Sequence, residues 1–183
     1  LQLRGYPGTH DLELGIQTIE TLRKLRSGET MRVPTYAKGL HGGQGDRLPI
    51  DQWRIQEGPV DLIVLDGWML GFAPVPDAAL GDPHLKIPNQ NLATYDAWTR
   101  ELDVFIHLDP VNWDLIPPWR IEAEVKMRAQ GKGGMSDDEI RRYIGLFRPA
   151  YETWIPGLRK HPPCSDAHRH VTLGPDRLTL TRL

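Results

Sequence analysis

The run Val60-Asp61-Leu62-Ile63-Val64-Leu65-Asp66-Gly67-Trp68 constrains this chain most. Its apolar core, Leu62 to Leu65, leads into an acid and then a glycine. A short apolar run bounded by turn residues predicts a strand buried on both faces, as in the middle of a parallel sheet. Such a strand does not hold a carboxylate within its buried span, so Asp66 is expected where the backbone leaves the sheet. In open α/β folds that carboxyl edge is where ligands bind. Phosphoryl-transfer folds place the same sequence of apolar strand, acid and glycine beside Mg²⁺. The competing reading of Asp66-Gly67 is a plain turn.

Other features narrow the class. At 183 residues one domain is the default, spanning 1–183. A net charge of -2 carries no polyanion-binding signature, so nucleic acid is not expected as a partner. No apolar run reaches membrane-spanning length, so no membrane partner is expected either. The single Cys164 excludes an internal disulfide and suits a reducing compartment such as the cytoplasm. The chain opens Leu1-Gln2-Leu3-Arg4, without an initiating Met or a basic leader, as expected of a piece of a longer protein.

In chain order, Asp11 is placed to cap a helix whose apolar positions are Leu12, Ile16, Ile19, Leu22 and Leu25, with Ser27-Gly28 as its stop. Met31 to Tyr36 reads as a short strand pushed toward an edge by Pro34. Lys38 to Arg47 carries glycines at 39, 42, 43 and 45, with Lys38, His41 and Arg47 among them. Such a loop lets backbone approach a ligand closely, and it reads equally as a surface hairpin. It is not a Walker A loop, because no Gly-Lys-Ser/Thr opens a following helix. Asn91 is expected to cap a helix through Leu102, with Leu92, Tyr95 and Trp98 on one face. Val104 to Leu108 predicts a second buried strand. A helix is expected over 119–130, with Arg120, Glu124 and Arg128 on one face and Glu122 paired with Lys126. Gly131-Lys132-Gly133-Gly134 ends it, and Ser136-Asp137-Asp138-Glu139 is a capping box for the next helix. Two helices joined by a glycine hinge, the first bearing arginines, suit a lid over phosphates at about 112–146; a solvated helical hairpin is the plainer reading. The tail holds His161, Cys164, His168 and His170, but no second Cys completes a paired zinc spacing. Val171–Leu173 and 178–181 predict a closing hairpin.

Several stretches occur together in one order: Arg4-Gly5-Tyr6-Pro7-Gly8-Thr9-His10-Asp11, Val33-Pro34-Thr35-Tyr36, His41-Gly42-Gly43-Gln44-Gly45-Asp46-Arg47, Asp66-Gly67-Trp68-Met69-Leu70-Gly71-Phe72, Trp119-Arg120 with Glu122-Ala123-Glu124, and Gly134-Met135-Ser136-Asp137 through Pro149-Ala150-Tyr151. From Leu3 to about Leu158 the chain resembles the D-glycerate 3-kinase family of plants, cyanobacteria and fungi. That family is related to uridine kinase, phosphoribulokinase and pantothenate kinase. The resemblance implies an α/β fold with a P-loop NTPase-like parallel sheet, flanking helices and a helical lid. The first strand and the Walker A helix, with the lysine and amides that hold the phosphates, would precede Leu1. It implies ATP-dependent phosphorylation of D-glycerate at its 3-hydroxyl with Mg²⁺, in the cytoplasm, or in the chloroplast if the source is a plant, where it closes the photorespiratory cycle.

Under that resemblance Asp66 is the candidate catalytic residue and Mg²⁺ organiser. Arg4, His10, Lys38, His41 and Arg47 are the candidate D-glycerate contacts, and Arg120 and Arg128 the candidate ATP-phosphate contacts. A guanidinium fork matches carboxylate and phosphate oxygens, which is the chemical reason for choosing arginines. The family has Glu at the position of Asp66, so the charge is kept and the reach shortened. It has Asp at the position of Ala37, so one polar group beside the substrate loop is gone. A non-catalytic anion-binding or partner-binding remnant of the fold, and a uridine- or pantothenate-type kinase, are the alternative readings.

Overall fold

The computed structural model describes residues 5–41, 44–131 and 135–179. It divides into two compact units, one of Leu1–Gly71 with Ile87–Glu101, the other of Phe72–Lys86 with Leu102–Leu183.

The first unit begins with a tightly knit loop. Gly5 N–H donates to Thr9 Oγ1 at 2.9 Å, and that hydroxyl donates to the Tyr6 carbonyl at 2.8 Å. Gly5 sits at φ +91°, and a Cβ there would also meet Trp68 Nε1 at 3.3 Å, so glycine is required on two counts. Helix α1, Leu12–Lys24, follows, and Asp11 caps it by accepting from Leu14 N–H at 3.1 Å, as expected. It stops two residues before Arg26, with Leu25 already extended. Strand β1, Thr30–Val33, pairs antiparallel with β4, Arg54–Glu57. Between them β2, Tyr36–Ala37, and β3, Asp46–Arg47, form a hairpin. The single strand expected over 31–36 is thus two, because Pro34 lacks a ladder donor and separates β1 from β2.

Helix α2 is Lys86–Thr99. It starts before the expected cap Asn91, which lies inside it and donates to the Pro7 carbonyl at 3.2 Å. A short turn at Pro83–Leu85, capped by Asp82, leads in, and prolines are tolerated in such a first turn. Leu92 and Tyr95 are buried. Gly15 of α1 lets the Trp98 ring approach closely, since a Cβ at Gly15 would lie 2.8 Å from that ring.

Residues 61–67, the stretch expected to be a doubly buried strand, carry no strand pairing. Leu62 and Val64 are each 78% exposed. A strand needs a hydrogen-bonded neighbour on at least one side, and none among the described residues supplies it. Apolar content alone does not fix a strand in the interior.

The second unit is built on a parallel pair, β5 (Phe105–Pro110) and β6 (His168–Leu173), running in register from Phe105↔His168 to Pro110↔Leu173. Helices α3 (Ile116–Ala129), α4 (Asp137–Gly145) and α5 (Arg148–Lys160) make the crossover. The fold is therefore α/β. The core is Ile140, Ala150, Trp154 and Leu158, with Phe72 at 5.7 Å from Trp154, ring centre to ring centre. The capping box at Ser136 and Glu139 is formed, with both reciprocal bonds present. Burial along β5 alternates, leaving Ile106 and Leu108 exposed, so this strand is not buried on both faces as expected. The closing hairpin is reduced to a bridge between Leu173 and Thr179, with positions 180–181 outside the described residues. No described helix is long and apolar enough to cross a membrane.

Candidate functional site

In the first unit, three elements bring polar groups together: the entry loop, the β2–β3 hairpin and α2. Arg47 ends β3, and its Nη1 reaches Asp11 Oδ2 at 2.6 Å. The hydrogen bond from Arg47 comes first among the causes that hold the Asp11 carboxyl below its ordinary range, and the Leu14 amide adds to it. Asp11 therefore has two tasks, capping α1 and fixing the direction of the Arg47 fork. The remaining guanidinium donors stay available to an anion.

His10 lies against the rings of Tyr95 and Trp98, with centroids 5.7 and 5.5 Å away. Desolvation by these neighbours holds its pKa below the ordinary histidine value, so it is neutral near neutral pH. Its Nδ1 lies 2.8 Å from the Tyr95 hydroxyl, which accepts from Gly8 N–H at 2.8 Å. In the tautomer in which the phenol donates to Nδ1, the imidazole proton is on Nε2 and can be offered to a ligand oxygen.

His41 stands at φ 51° in the hairpin turn, and its Nε2 is 3.3 Å from Asp46 Oδ2. The described ends of the glycine stretch, Gly39 and Gly45, lie beside the paired strands β2 and β3, and Gly42 and Gly43 are outside the described residues. Lys38 is exposed on the same hairpin. Arg4 lies outside the described residues. Asp66 is exposed and takes no ion pair among the described residues. The structure therefore brings Arg47 to the entry loop and His10 to α2. His41 is linked to Asp46 and to neither of these pairs through a described hydrogen bond or ion pair.

In the second unit Arg120 Nη2 meets Glu124 Oε1 at 2.5 Å, and Glu124 is only 2% exposed. A carboxylate so buried needs a counterion, and Arg120 is it. Arg128 donates to the Met135 carbonyl and to Asp137 Oδ1, the latter at 3.0 Å. It ties the end of α3 to the start of α4 across 132–134. Glu122 and Lys126 pair as expected at 2.6 Å.

Two partners were not among the sequence candidates. Tyr95 orients His10, but along the chain it reads only as an apolar position on the α2 face. Asp11 pins Arg47, but its strong helix-cap pattern hid its second role. Phe105-x-His107-x-Asp109 also puts two ligand-type side chains on one face of β5, a period-two signal legible in the sequence.

No family model matches the chain. It is 39% identical over 181 residues, 96% of its length, to a protein named D-glycerate 3-kinase, chloroplastic, from Arabidopsis thaliana, of which it spans 40%. It is 28% identical over 174 residues to a Saccharomyces cerevisiae protein named probable ATP-dependent kinase TDA10, of which it spans 57%. Among solved structures, D-glycerate 3-kinase from Cryptococcus neoformans superposes with a TM-score of 0.85 at 27% identity, over 97% of this chain and 68% of that one. The chain spans two fifths to three fifths of the length of these sequence relatives. Over nearly all of its own length it is similar, in sequence and in fold, to D-glycerate 3-kinases.

Proposed function

We propose that this chain carries the acceptor side and the helical lid of an ATP-dependent kinase that converts D-glycerate to 3-phosphoglycerate. The observation that carries the reading is its similarity, over 96% of its length in sequence and 97% in fold, to proteins named D-glycerate 3-kinase. The acceptor-side geometry supports it. D-glycerate is a small carboxylate with two hydroxyls, and it needs a held cation and neutral donors. Arg47, aimed by Asp11, suits the carboxylate, and His10 Nε2–H suits a hydroxyl oxygen. Lys38, His41 and Arg4 are assigned to the same substrate side from the resemblance.

In the transfer the 3-hydroxyl oxygen forms a bond to the γ-phosphorus, the bond from that phosphorus to the ADP oxygen breaks, and the hydroxyl proton is released to solvent. Most of the catalysis is positioning and charge neutralisation. Arg120 and Arg128 are assigned to the triphosphate oxygens, with α3 and α4 as the lid. Asp66 fits a magnesium role in donor chemistry. It is an exposed carboxylate at the head of a turn, open to an ion that keeps most of its water. Mg²⁺, when bound, would neutralise phosphate charge. The proposed partners are ATP and D-glycerate, with neither nucleic acid nor membrane. The proposed setting is the cytoplasm, or the chloroplast in a plant.

The test is an ADP-coupled assay on the full-length polypeptide that contains this chain, with ATP and Mg²⁺. ADP formation should require D-glycerate. Equal ADP formation with and without D-glycerate would count against the proposal.

A further inference from the structure

Apart from the acceptor-side cluster, the densest group of ligand-type side chains lies on the parallel pair of the second unit. Strand alternation places Phe105, His107 and Asp109 on the buried face of β5. The register sets His168 beside Phe105 and His170 beside His107. The rings stack in the same order, with centroids 5.8 Å apart for Phe105 and His168 and 5.0 Å apart for His107 and His170. Asp109, 5% exposed, closes the row. Its Oδ2 accepts from His170 Nε2 at 2.8 Å and from Arg159 Nε at 2.7 Å, and its Oδ1 accepts from Arg159 Nη2 at 2.9 Å.

Two nitrogens in this row, His107 Nδ1 and His168 Nε2, are buried without a hydrogen-bond partner among the described residues, and only the first belongs to the cluster of His107, Asp109 and His170. His107 is 6% exposed, and its Nδ1 is buried with no hydrogen-bond partner among the described residues. An unsatisfied buried polar atom is costly, so a ligand that satisfies the His107 nitrogen is favoured. One ligand atom each from His107, Asp109 and His170 can be chosen so that all lie within 4.8 Å of one another.

We propose that His107, Asp109 and His170 form a binding site for a transition-metal dication of the zinc and cobalt type, separate from the magnesium of phosphoryl transfer. Two imidazole nitrogens and one carboxylate oxygen suit such ions better than Mg²⁺ or Ca²⁺, which take oxygen. Three protein ligands leave a fourth position for water. Metal bonds of about 2.0–2.1 Å put tetrahedral ligand atoms roughly 3.4 Å apart, so on loading the His170 Nε2–Asp109 Oδ2 pair, now 2.8 Å apart, opens slightly and the more widely spaced atoms draw in. The more exposed His170 is the ligand with room to move.

The protonation states suit this. Burial, partly opposed by the Asp109 charge, holds the His107 pKa below the ordinary value, so the ring is neutral and offers a lone pair. Burial pushes the Asp109 carboxyl up, but the hydrogen bonds from Arg159 and His170 outweigh it and keep the group ionised. The ion takes the place of the Nε2 proton of a neutral His170, whose ring then carries its proton on Nδ1. Arg159 is the outer partner that orients Asp109, and its positive charge lowers the affinity.

The probe is Co²⁺, titrated into the full chain and followed by its visible absorption, with Zn²⁺ as competitor. The expected result is one ion per chain, with the intensified bands of low coordination, displaced by Zn²⁺. His107→Ala should weaken binding by more than the roughly 10–100-fold that loss of an outer partner costs. His161→Ala, at an exposed position with no part in the row, should bind as the parent does. Should His107→Ala not fold, His170→Gln at the more exposed edge gives the same reading. A parent that gives no such bands, or variants at 107 and 170 that bind Co²⁺ as tightly as the parent, would overturn the proposal.

Discussion

At the residue scale, the acceptor side is arranged by second partners. Arg47 is aimed by Asp11, and His10 is held at its Nδ1 by the Tyr95 hydroxyl. Replacing Arg47 by Ala should raise KM for D-glycerate about 10–100-fold, the equivalent of losing a charged hydrogen bond of roughly 1.5–3 kcal/mol. Arg47→Lys keeps the charge but not the fork, so it should fall between the parent and Arg47→Ala. Steady-state kinetics with varied D-glycerate checks both, and an unchanged KM in Arg47→Ala would remove the assigned contact. Charge types were legible in the sequence because an anion needs cations. Their partners were not, because the Asp11–Arg47 and His10–Tyr95 pairs join residues far apart in the chain. Only the fold decides which distant residues meet.

At the element scale, local signals were read well where the chemistry is local. The Asp11 cap and the Ser136 capping box depend on side chains within four residues, and both are formed. Ser136→Ala should cost about 1 kcal/mol in urea unfolding. Helix α5, which carries the core, was not expected as a helix: Pro149-Ala150-Tyr151 entered only as part of a stretch that resembles the family. Trp154 is 1% exposed, and Trp154→Ala should cost about 3–5 kcal/mol by the same measurement. A loss below 1 kcal/mol would mean that this helix is not central to the second unit. The reading failed most clearly at 61–67. There the apolar run was sound, but strand formation depends on a neighbour that no local pattern specifies. Burial on both faces of β5 failed for the same reason.

At the scale of the whole molecule, the α/β class with a parallel sheet was legible in the sequence, but the parallel partner of β5 is β6, which the sequence pattern had placed in a closing hairpin, because no local signal says which distant strand pairs with which. Stability should also carry a pH signature from His10. Its folded pKa is depressed by burial, whereas in the unfolded chain it titrates near its ordinary value of 6.5. Its contribution is therefore complete above that value and is lost as pH falls through the folded pKa. His10→Gln should flatten the fall in Tm between pH 7.5 and 5.5, and an unchanged fall would contradict the desolvation of this ring. The central claim is that the chain serves phosphoryl transfer to D-glycerate, and product identity tests it most directly. Phosphorus NMR of the full-length polypeptide with ATP, Mg²⁺ and D-glycerate should reveal a phosphate monoester on the 3-oxygen, formed in step with ADP. Inorganic phosphate in its place, or a monoester on a different oxygen, would contradict the account.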